Sequence, residues 1–174
     1  MSRLFFALVP DKEIINELNL AVNVLKPTGT EKVVANDKLH LTLRYIGSAS
    51  DQIRNAIIQS VNKTTNSSFT LNIDKQAYWN KPKISVLMPN SIPSELTALV
   101  EALESICIEN GLPKDNRQYK PHITVIRNTN DQRPEMKLKT ISWHIRDFVL
   151  LNSETINGKL QYTEIGRWVL DRDE

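Results

Sequence analysis

Two stretches of the sequence, His40-Leu41-Thr42-Leu43 and His122-Ile123-Thr124-Val125, share the pattern histidine, apolar residue, threonine, apolar residue. The alternation and the β-forming residues predict a strand for each. Residues two apart on a strand point to the same face, so each histidine shares a face with its threonine, while the apolar residues point into a core. The motifs lie 82 residues apart, in opposite halves of the chain. If the halves form two similar lobes, both pairs can face one shared cleft.

Working outward from these motifs, strand and helix patterns are interspersed along the chain. Asp11, Ser50 and Pro93-Ser94 each precede a segment with helical spacing of apolar residues, and Asn157-Gly158 is a hairpin turn signal. This arrangement predicts an α+β fold with mostly antiparallel sheet, and no linker-like segment divides the chain. The predicted strands are Arg3 to Val9, Val33 to Val34, His40 to Ile46, Phe69 to Ile73, Ile84 to Met88, His122 to Ile126, Thr140 to Leu151 and Leu160 to Leu170.

Composition restricts the kind of protein this can be. The 174 residues suffice for one domain with a real core, and the net charge of +2 is too small for a protein that grips long duplexes through their phosphates. The segment from Gly111 to Thr140 is locally basic, which suits a short anionic ligand or, equally, a solvated surface. Its basic residues are Lys114, Arg117, Lys120, Arg127, Arg133, Lys137 and Lys139, against the acids Asp115, Asp131 and Glu135.

Cysteine usage and the N-terminus indicate the compartment. The lone cysteine, Cys107, cannot form an intrachain disulfide, and its helical apolar pattern predicts a buried core thiol rather than a nucleophile. The apolar run from Leu4 to Val9 is too short for a signal peptide, and no stretch is long enough to span a membrane. We therefore expect a cytoplasmic protein with no membrane association.

The residue types in the two motifs suit acid–base chemistry. An imidazole titrates at about pH 6.5, so one histidine can accept a proton from water while the other donates one to a leaving oxygen. Two threonine hydroxyls can hold phosphate oxygens between them, as in-line displacement at phosphorus requires. Two histidines without nearby Asp, Glu or Cys make a poor metal site, and the chain lacks H-E-x-x-H, Walker and G-x-G-x-x-G patterns.

The motif histidines could also be ordinary strand residues with no catalytic role. A single His-x-Thr-x is common by chance and would indicate only a packed or exposed strand residue. The chain has three histidines, however, and two of them fall in the same tetrapeptide pattern. The third, His144, has no threonine two residues on, and we expect it to face solvent.

Both motifs resemble the signature of the two-histidine phosphoesterase superfamily. Within it, the chain is similar to the RNA 2′,3′-cyclic phosphodiesterases, which are also called 2′-5′ RNA ligase-like proteins. The resemblance covers nearly the whole chain. It includes Arg3 to Leu8, His40 to Gly47, Tyr119 to Val125, and Tyr162 to Leu170 with Arg167-Trp168.

The resemblance implies a fold and an activity. The fold would be a single domain over residues 1–174, with two pseudo-symmetric lobes, helices packed outside and a central active-site cleft. The activity would be hydrolysis of RNA 2′,3′-cyclic phosphodiester ends to 2′-phosphomonoesters without metal or cofactor. By position, His40 would protonate the departing 3′-oxygen, His122 would accept the proton of the attacking water, and Thr42 and Thr124 would hold the phosphate oxygens.

Four further residues are candidates for the site. Family members often carry a basic residue at the place of Arg127, yet its parity relative to His122 turns it away from the cleft unless the strand bulges or ends near Ile126. Arg44 has the right parity with His40 and Thr42. Phe5 or Phe6 could stack on a base, although at least one of them should pack in the core.

Three alternatives for the function stay open. The substrate could be another cyclic or 2′-linked nucleotide, the site could run in reverse as a 2′-5′ RNA ligase, or the chain could be a non-catalytic RNA-end-binding module. In each case the partner is an RNA 3′ end or a small nucleotide, and no obligatory protein partner is evident. Intact histidine and threonine in both motifs argue against the binding module.

Overall fold

The computed structural model describes residues 3–129 and 134–171, where the chain forms nine strands and three α-helices. Asp131 and Arg133 of the basic segment lie outside these ranges. The named strands pair only in antiparallel fashion, which confirms the predicted α+β class. The elements are β1 (Arg3–Leu8), α1 (Lys12–Leu25), β2 (Lys32–Val33), β3 (Leu41–Gly47), α2 (Asp51–Val61), β4 (Phe69–Trp79), β5 (Ile84–Met88), α3 (Ser94–Glu109), β6 (Ile123–Arg127), β7 (Met136–Ile145), β8 (Asp147–Ile156) and β9 (Lys159–Val169), with a 3₁₀ turn at Asn36–Lys38.

Helix starts and the last hairpin follow local sequence signals. The side chains of Asp11 and Ser50 cap α1 and α2 by accepting hydrogen bonds from the backbone N–H groups of Ile14 and Ile53. Asn157 and Gly158 adopt positive φ angles of 51° and 75° between β8 and β9, as a tight hairpin turn requires. No helix in the described ranges is long and apolar enough to cross a membrane.

The sheet has a pseudo-twofold arrangement about its centre. The strand order is β7-β4-β5-β6-β3-β1-β8-β9, with β2 also paired to β6. From the centre outward, β3-β1-β8-β9 on one side corresponds to β6-β5-β4-β7 on the other. The units β1-α1-β3 and β5-α3-β6 occupy equivalent places. The two halves meet where Leu41 of β3 pairs with Ile123 of β6.

The two faces of the sheet have different environments. One face and the helices bury the main core, to which Phe6, Leu41, Leu43, Ile123 and Val125 contribute. The opposite face carries two small apolar clusters, one in each half. Their buried members are Phe5, Ala7, Val149 and Leu151 in one half and Ala77, Ile84 and Val86 in the other.

Two predicted strands are wrong in their extent. The strand expected from Phe69 to Ile73 continues to Trp79, because a register shift between Ile73 and Lys75 interrupts the alternation that the prediction followed. The segment from Thr140 to Leu151 contains the end of β7 and the start of β8, and the chain passes from one half of the sheet to the other at Arg146. The buried residues change parity at this point, from Ile141 and Ile145 to Phe148 and Leu150. That change was visible in the sequence and marks the crossing.

Candidate active site

The two motifs meet at the centre of the sheet. Each histidine immediately precedes its strand, and the residues that follow them, Leu41 and Ile123, form the antiparallel pair that joins the two halves. Extending this register by one residue sets His40 opposite Thr124 and His122 opposite Thr42. His40 and Thr124 line one cavity. This cavity lies on the face of the sheet opposite the helices, which we call the cleft face. The register of the central strands thus brings His40 and Thr124, which come from different motifs, to one cavity.

Both imidazoles are held by the same hydrogen bond. His40 Nδ1 donates to the carbonyl oxygen of Lys38 at 2.8 Å, and His122 Nδ1 donates to that of Lys120 at 2.7 Å. A carbonyl oxygen can only accept, so Nδ1 carries the hydrogen in each ring. Nε2 is left as the nitrogen that can take up or give a proton.

Aromatic rings fix the two imidazoles differently. His40 packs against Phe5 and Tyr162, with ring centroids 5.0 and 5.4 Å away. His122 packs against Trp79 at 4.4 Å. Phe6 is fully buried in the main core, which leaves Phe5 as the phenylalanine on the cleft face.

Burial and neighbouring charges favour neutral imidazoles. Burial lowers the pKa of His40, and the positive charge of Arg127 and the proximity of His122 lower it further, against the opposing hydrogen bond to Lys38. Burial and Arg127 likewise lower the pKa of His122. Both rings are therefore mostly neutral at pH 7 in the free protein, and Arg127 lies close enough to act on both.

A β-bulge brings Arg127 to the cleft face. Across the β5–β6 ladder, Ile126 pairs with Ser85 and Thr124 with Val86, so Val125 is an extra residue in β6. Val125 and Ile126 are both buried, and the parity of the strand is reversed beyond them. Arg127 then returns to the face of Thr124 and lines the cavity with it. This is the bulge near Ile126 that the sequence argument required.

The equivalent bulge in β3 turns Arg44 away. Arg44 pairs with Phe6 and Thr42 with Ala7, which leaves Leu43 as the extra residue. Arg44 is only 8% exposed, forms an ion pair with Glu104 and donates to the carbonyl oxygen of Pro113 at 2.7 Å. The expectation that Arg44 shares the cleft face was therefore wrong, because it assumed a regular strand.

The remaining candidates lie where the sequence indicated. His144 is exposed, with Nδ1 3.4 Å from the hydroxyl of Thr70, as expected for a surface residue. Cys107 is fully buried, and burial raises the pKa of its thiol to about 11, so it is a core residue and not a nucleophile. Lys38, Trp79 and Tyr162 were not singled out from sequence. For Trp79 and Tyr162, the aromatic residue type was the one sequence feature that indicated a possible contact with an imidazole ring.

A fold with two histidine motifs at the centre of one antiparallel sheet is what comparison with known proteins also finds, in phosphoesterases. A family model described as LigT-like phosphoesterase matches residues 8–88. The RNA 2′,3′-cyclic phosphodiesterase of Escherichia coli is 28% identical over 170 residues, which are 97% of this chain and 96% of that protein. The chain is therefore similar to the LigT-like phosphoesterases, over residues 8–88 by the family model and over nearly its whole length by the E. coli relative.

Solved structures of E. coli LigT have the same fold over nearly their whole length. The complex with 3′-AMP superposes with a TM-score of 0.90 at 28% identity, covering 98% of this chain and 99% of that one. The complex with ATP gives a TM-score of 0.87 at 26% identity, with coverage of 98% and 99%.

Proposed function

We propose that this protein hydrolyses RNA 2′,3′-cyclic phosphodiester ends to 2′-phosphomonoesters by metal-independent acid–base catalysis with His40 and His122. The observation that carries the proposal is the matched hydrogen bonding of the two imidazoles, which leaves Nε2 of each for proton transfer. The E. coli relative that matches nearly the whole chain bears the name of this activity. LigT of E. coli has also been crystallised with 3′-AMP, a nucleotide that carries a ribose phosphate.

The proposed reaction is an in-line displacement at phosphorus. His122 Nε2 accepts a proton from the attacking water as the new P–O bond forms. His40 Nε2 donates its proton to the 3′-oxygen as the P–O3′ bond breaks, which leaves the phosphate on the 2′-oxygen. His40 and His122 directly precede Leu41 and Ile123, which pair on the two central strands. This placement on two strands supports action of the histidines from opposite sides of one phosphate.

The phosphate would lie between hydroxyl and guanidinium donors. In the proposal Thr42 and Thr124 donate hydrogen bonds to the non-bridging oxygens, and Arg127 balances the charge that develops on them. Binding of the anionic phosphate raises the pKa of a nearby imidazole. This opposes the effect of Arg127 and makes a protonated His40 available in the complex.

The proposal requires no metal or cofactor. In the described residues, no three histidine, cysteine or acidic side chains are grouped so that they could hold a metal ion. The side chains around the two imidazoles are aromatic, aliphatic, hydroxyl or cationic, and cationic groups repel a metal ion. The lone buried thiol suits a reducing compartment, and we propose that the enzyme acts in the cytoplasm.

The test uses purified protein, EDTA and a short RNA that ends in a 2′,3′-cyclic phosphate. Chromatography separates the 2′- and 3′-monophosphate products. We expect the 2′-phosphate alone, at a rate that EDTA does not change. A 3′-phosphate product would contradict the assignment of His40 to the 3′-oxygen, and strict dependence on added metal would contradict the mechanism.

Substitution of either histidine tests the acid–base roles. We expect His40→Ala and His122→Ala each to lower kcat by roughly 10²- to 10⁴-fold, because each removes one proton-transfer step. Circular dichroism and thermal unfolding check that the variants fold. The control is His144→Ala, which changes an exposed imidazole outside the site and should retain full activity. Near-normal turnover in either motif variant would refute the mechanism.

A second candidate function is action on 2′-5′-linked diesters. The side of the site from which water would attack carries the ring of Trp79, 4.4 Å from His122. This ring could stack on a second nucleoside whose 5′-oxygen takes the place of that water. A 2′-5′-linked dinucleotide and its 3′-5′ isomer distinguish the candidates, since cleavage of the 2′-5′ isomer alone would support the second one.

A further inference from the structure

A cavity beside His40 brings three cationic side chains together. It measures about 170 Å³ and is lined by Lys32, Lys38 and Arg127, together with the imidazole of His40. Apart from its charged groups and Thr124, the lining is apolar or aromatic, and no acidic side chain in the described ranges contributes to it. Such a cavity suits a ligand that combines an apolar ring with more than one negative charge.

Two of the cations lie directly opposite each other on neighbouring strands. Lys32 of β2 pairs with Arg127 of β6 in the antiparallel register, so the two side chains leave the same face. Cβ atoms in such pairs lie about 5 Å apart, and like charges in this position repel. Both residues are exposed, and among the described residues neither has an ion-pair partner, whereas Lys38 is paired with Asp37. An anion between Lys32 and Arg127 would remove the repulsion.

The proposed chemistry determines what part of a substrate reaches this place. The departing 3′-oxygen lies at His40, so the nucleoside must lie on the same side of the phosphorus as His40. The cavity there offers the exposed apolar side chains of Val33 and Leu160 and the ring of Tyr162 to that nucleoside. With the nucleoside in this cavity, its 5′-oxygen would come within reach of the exposed Lys32, which pairs with Arg127.

We propose that Lys32 and Lys38, assisted by the positive charge of Arg127 that also faces the cyclic phosphate, bind the phosphate on the 5′-oxygen of the terminal nucleotide. This inference rests on the proposed function and specifies its substrate class. In an RNA chain that phosphate is the last internucleotide linkage, and in a free nucleotide it is a 5′-phosphate. The site therefore selects a terminal nucleotide whose 5′-oxygen carries a phosphate over a nucleoside cyclic phosphate whose 5′-hydroxyl is free.

Turnover of three substrates tests the selection and separates the two sources of the phosphate. They are adenosine 2′,3′-cyclic phosphate, the same compound with a 5′-phosphate, and a dinucleotide that ends in the cyclic phosphate. We expect kcat/KM to be roughly tenfold higher for the two phosphorylated substrates, as for one charge-assisted contact. Lys32→Gln should remove most of this advantage and reduce the salt dependence by about one phosphate contact, a change in slope of about 0.7.

The control is Lys139→Gln, which neutralises an exposed lysine of β7 outside the cavity and should leave the ratio of rates unchanged. An equal kcat/KM for all three substrates in the unmodified protein would overturn the inference, as would an advantage that survives in Lys32→Gln. An advantage for the dinucleotide alone would show that neighbouring nucleoside contacts, and not the phosphate, are selected, which also overturns it.

Binding provides a test that does not depend on turnover. Titration calorimetry compares adenosine 2′,5′-bisphosphate with adenosine 2′-monophosphate, and we expect the bisphosphate to bind roughly tenfold more tightly to the unmodified protein but not to Lys32→Gln. Equal affinities would refute the 5′-phosphate site. If that preference is found but none of the cyclic substrates reacts, the site stands and the proposed function fails.

Discussion

At the scale of single residues, the two histidines are alike in hydrogen bonding but differ in their surroundings. Each donates Nδ1–H to the carbonyl oxygen two residues before it. His40 lies between Phe5 and Tyr162, whereas His122 contacts Trp79. Sequence repetition thus explains the shared tautomer, and the strands that pack alongside create the difference.

The pH dependence of kcat/KM follows from the lowered pKa values of the two imidazoles. Burial and the charge of Arg127 lower both of them in the free protein. The base must be neutral, which requires a pH above its pKa, and the acid must be protonated, which requires a pH below its own. We therefore expect a bell-shaped profile with its maximum below about pH 6.5, measured from about pH 4.5 to about pH 8.5. A maximum above pH 7 would contradict this prediction.

Removal of the Arg127 charge should have two separable effects. Arg127→Gln takes away a cationic partner of the phosphate, and we expect kcat/KM to fall about 10²-fold. It also removes a cause of the low pKa of both imidazoles, so the maximum of the pH profile should move to higher pH. Arg146→Gln, at an exposed position between β7 and β8, is the control and should change neither. Loss of activity without a shift in the pH profile would show that Arg127 is too far from the histidines to lower their pKa values.

At the scale of elements, the two bulges decide which arginine reaches the substrate. In β3 and in β6, one extra residue follows each motif threonine and reverses the parity of the strand. Arg127 gains the cleft face by this reversal and Arg44 loses it. Arg44 instead ties β3 to α3 through Glu104 and to the loop before His122 through the carbonyl oxygen of Pro113.

The Arg44–Glu104 pair should matter for stability and not directly for chemistry. Side-chain exposure is 9% for Arg44 and 19% for Glu104, so removal of one partner leaves a largely buried charge. We expect Glu104→Ala to lower the free energy of unfolding by about 3 kcal/mol in urea titrations. Asp51→Ala breaks the exposed pair with Arg54 and should cost less than about 1 kcal/mol. Equal effects of the two variants would mean that water solvates the Arg44 charge that remains in Glu104→Ala, and would contradict the prediction.

At the scale of the whole molecule, the halves are joined by more than the central strand pair. Helix α1 follows a strand of the first half and contacts β7 of the second, while α3 of the second half contacts β3 of the first. One main core cluster includes residues of all three helices and of both halves of the sheet. We propose on this basis that residues 1–174 form a single domain of two lobes.

A single domain should unfold in one step. Because the helices cross between the halves, loss of one lobe would expose the core of the other. We expect urea unfolding curves from tryptophan fluorescence and from far-ultraviolet circular dichroism to coincide. The fluorescence reports on both halves, since Trp143 and Trp168 lie on strands at opposite ends of the sheet. Two separate transitions would show that the lobes are independent domains.

The sequence by itself determined the class of fold, the caps of α1 and α2, the last hairpin and the residues of both motifs. These depend on local spacing, because side-chain direction along a strand or helix repeats with a fixed period. The same information placed Cys107 in the core and His144 at the surface. It failed where the period is interrupted, at the junction near Arg146 and at the bulges that exchange the positions of Arg44 and Arg127.

Only the tertiary structure decided how the two motifs meet and what surrounds them. The Leu41–Ile123 pair joins strands that are far apart in sequence. Tyr162 and Trp79 reach the histidines from β9 and β4, and Lys32 meets Arg127 through the pairing of β2 with β6. Contacts between distant segments depend on strand order and register, which hydrophobic packing of the whole chain selects and no short pattern encodes.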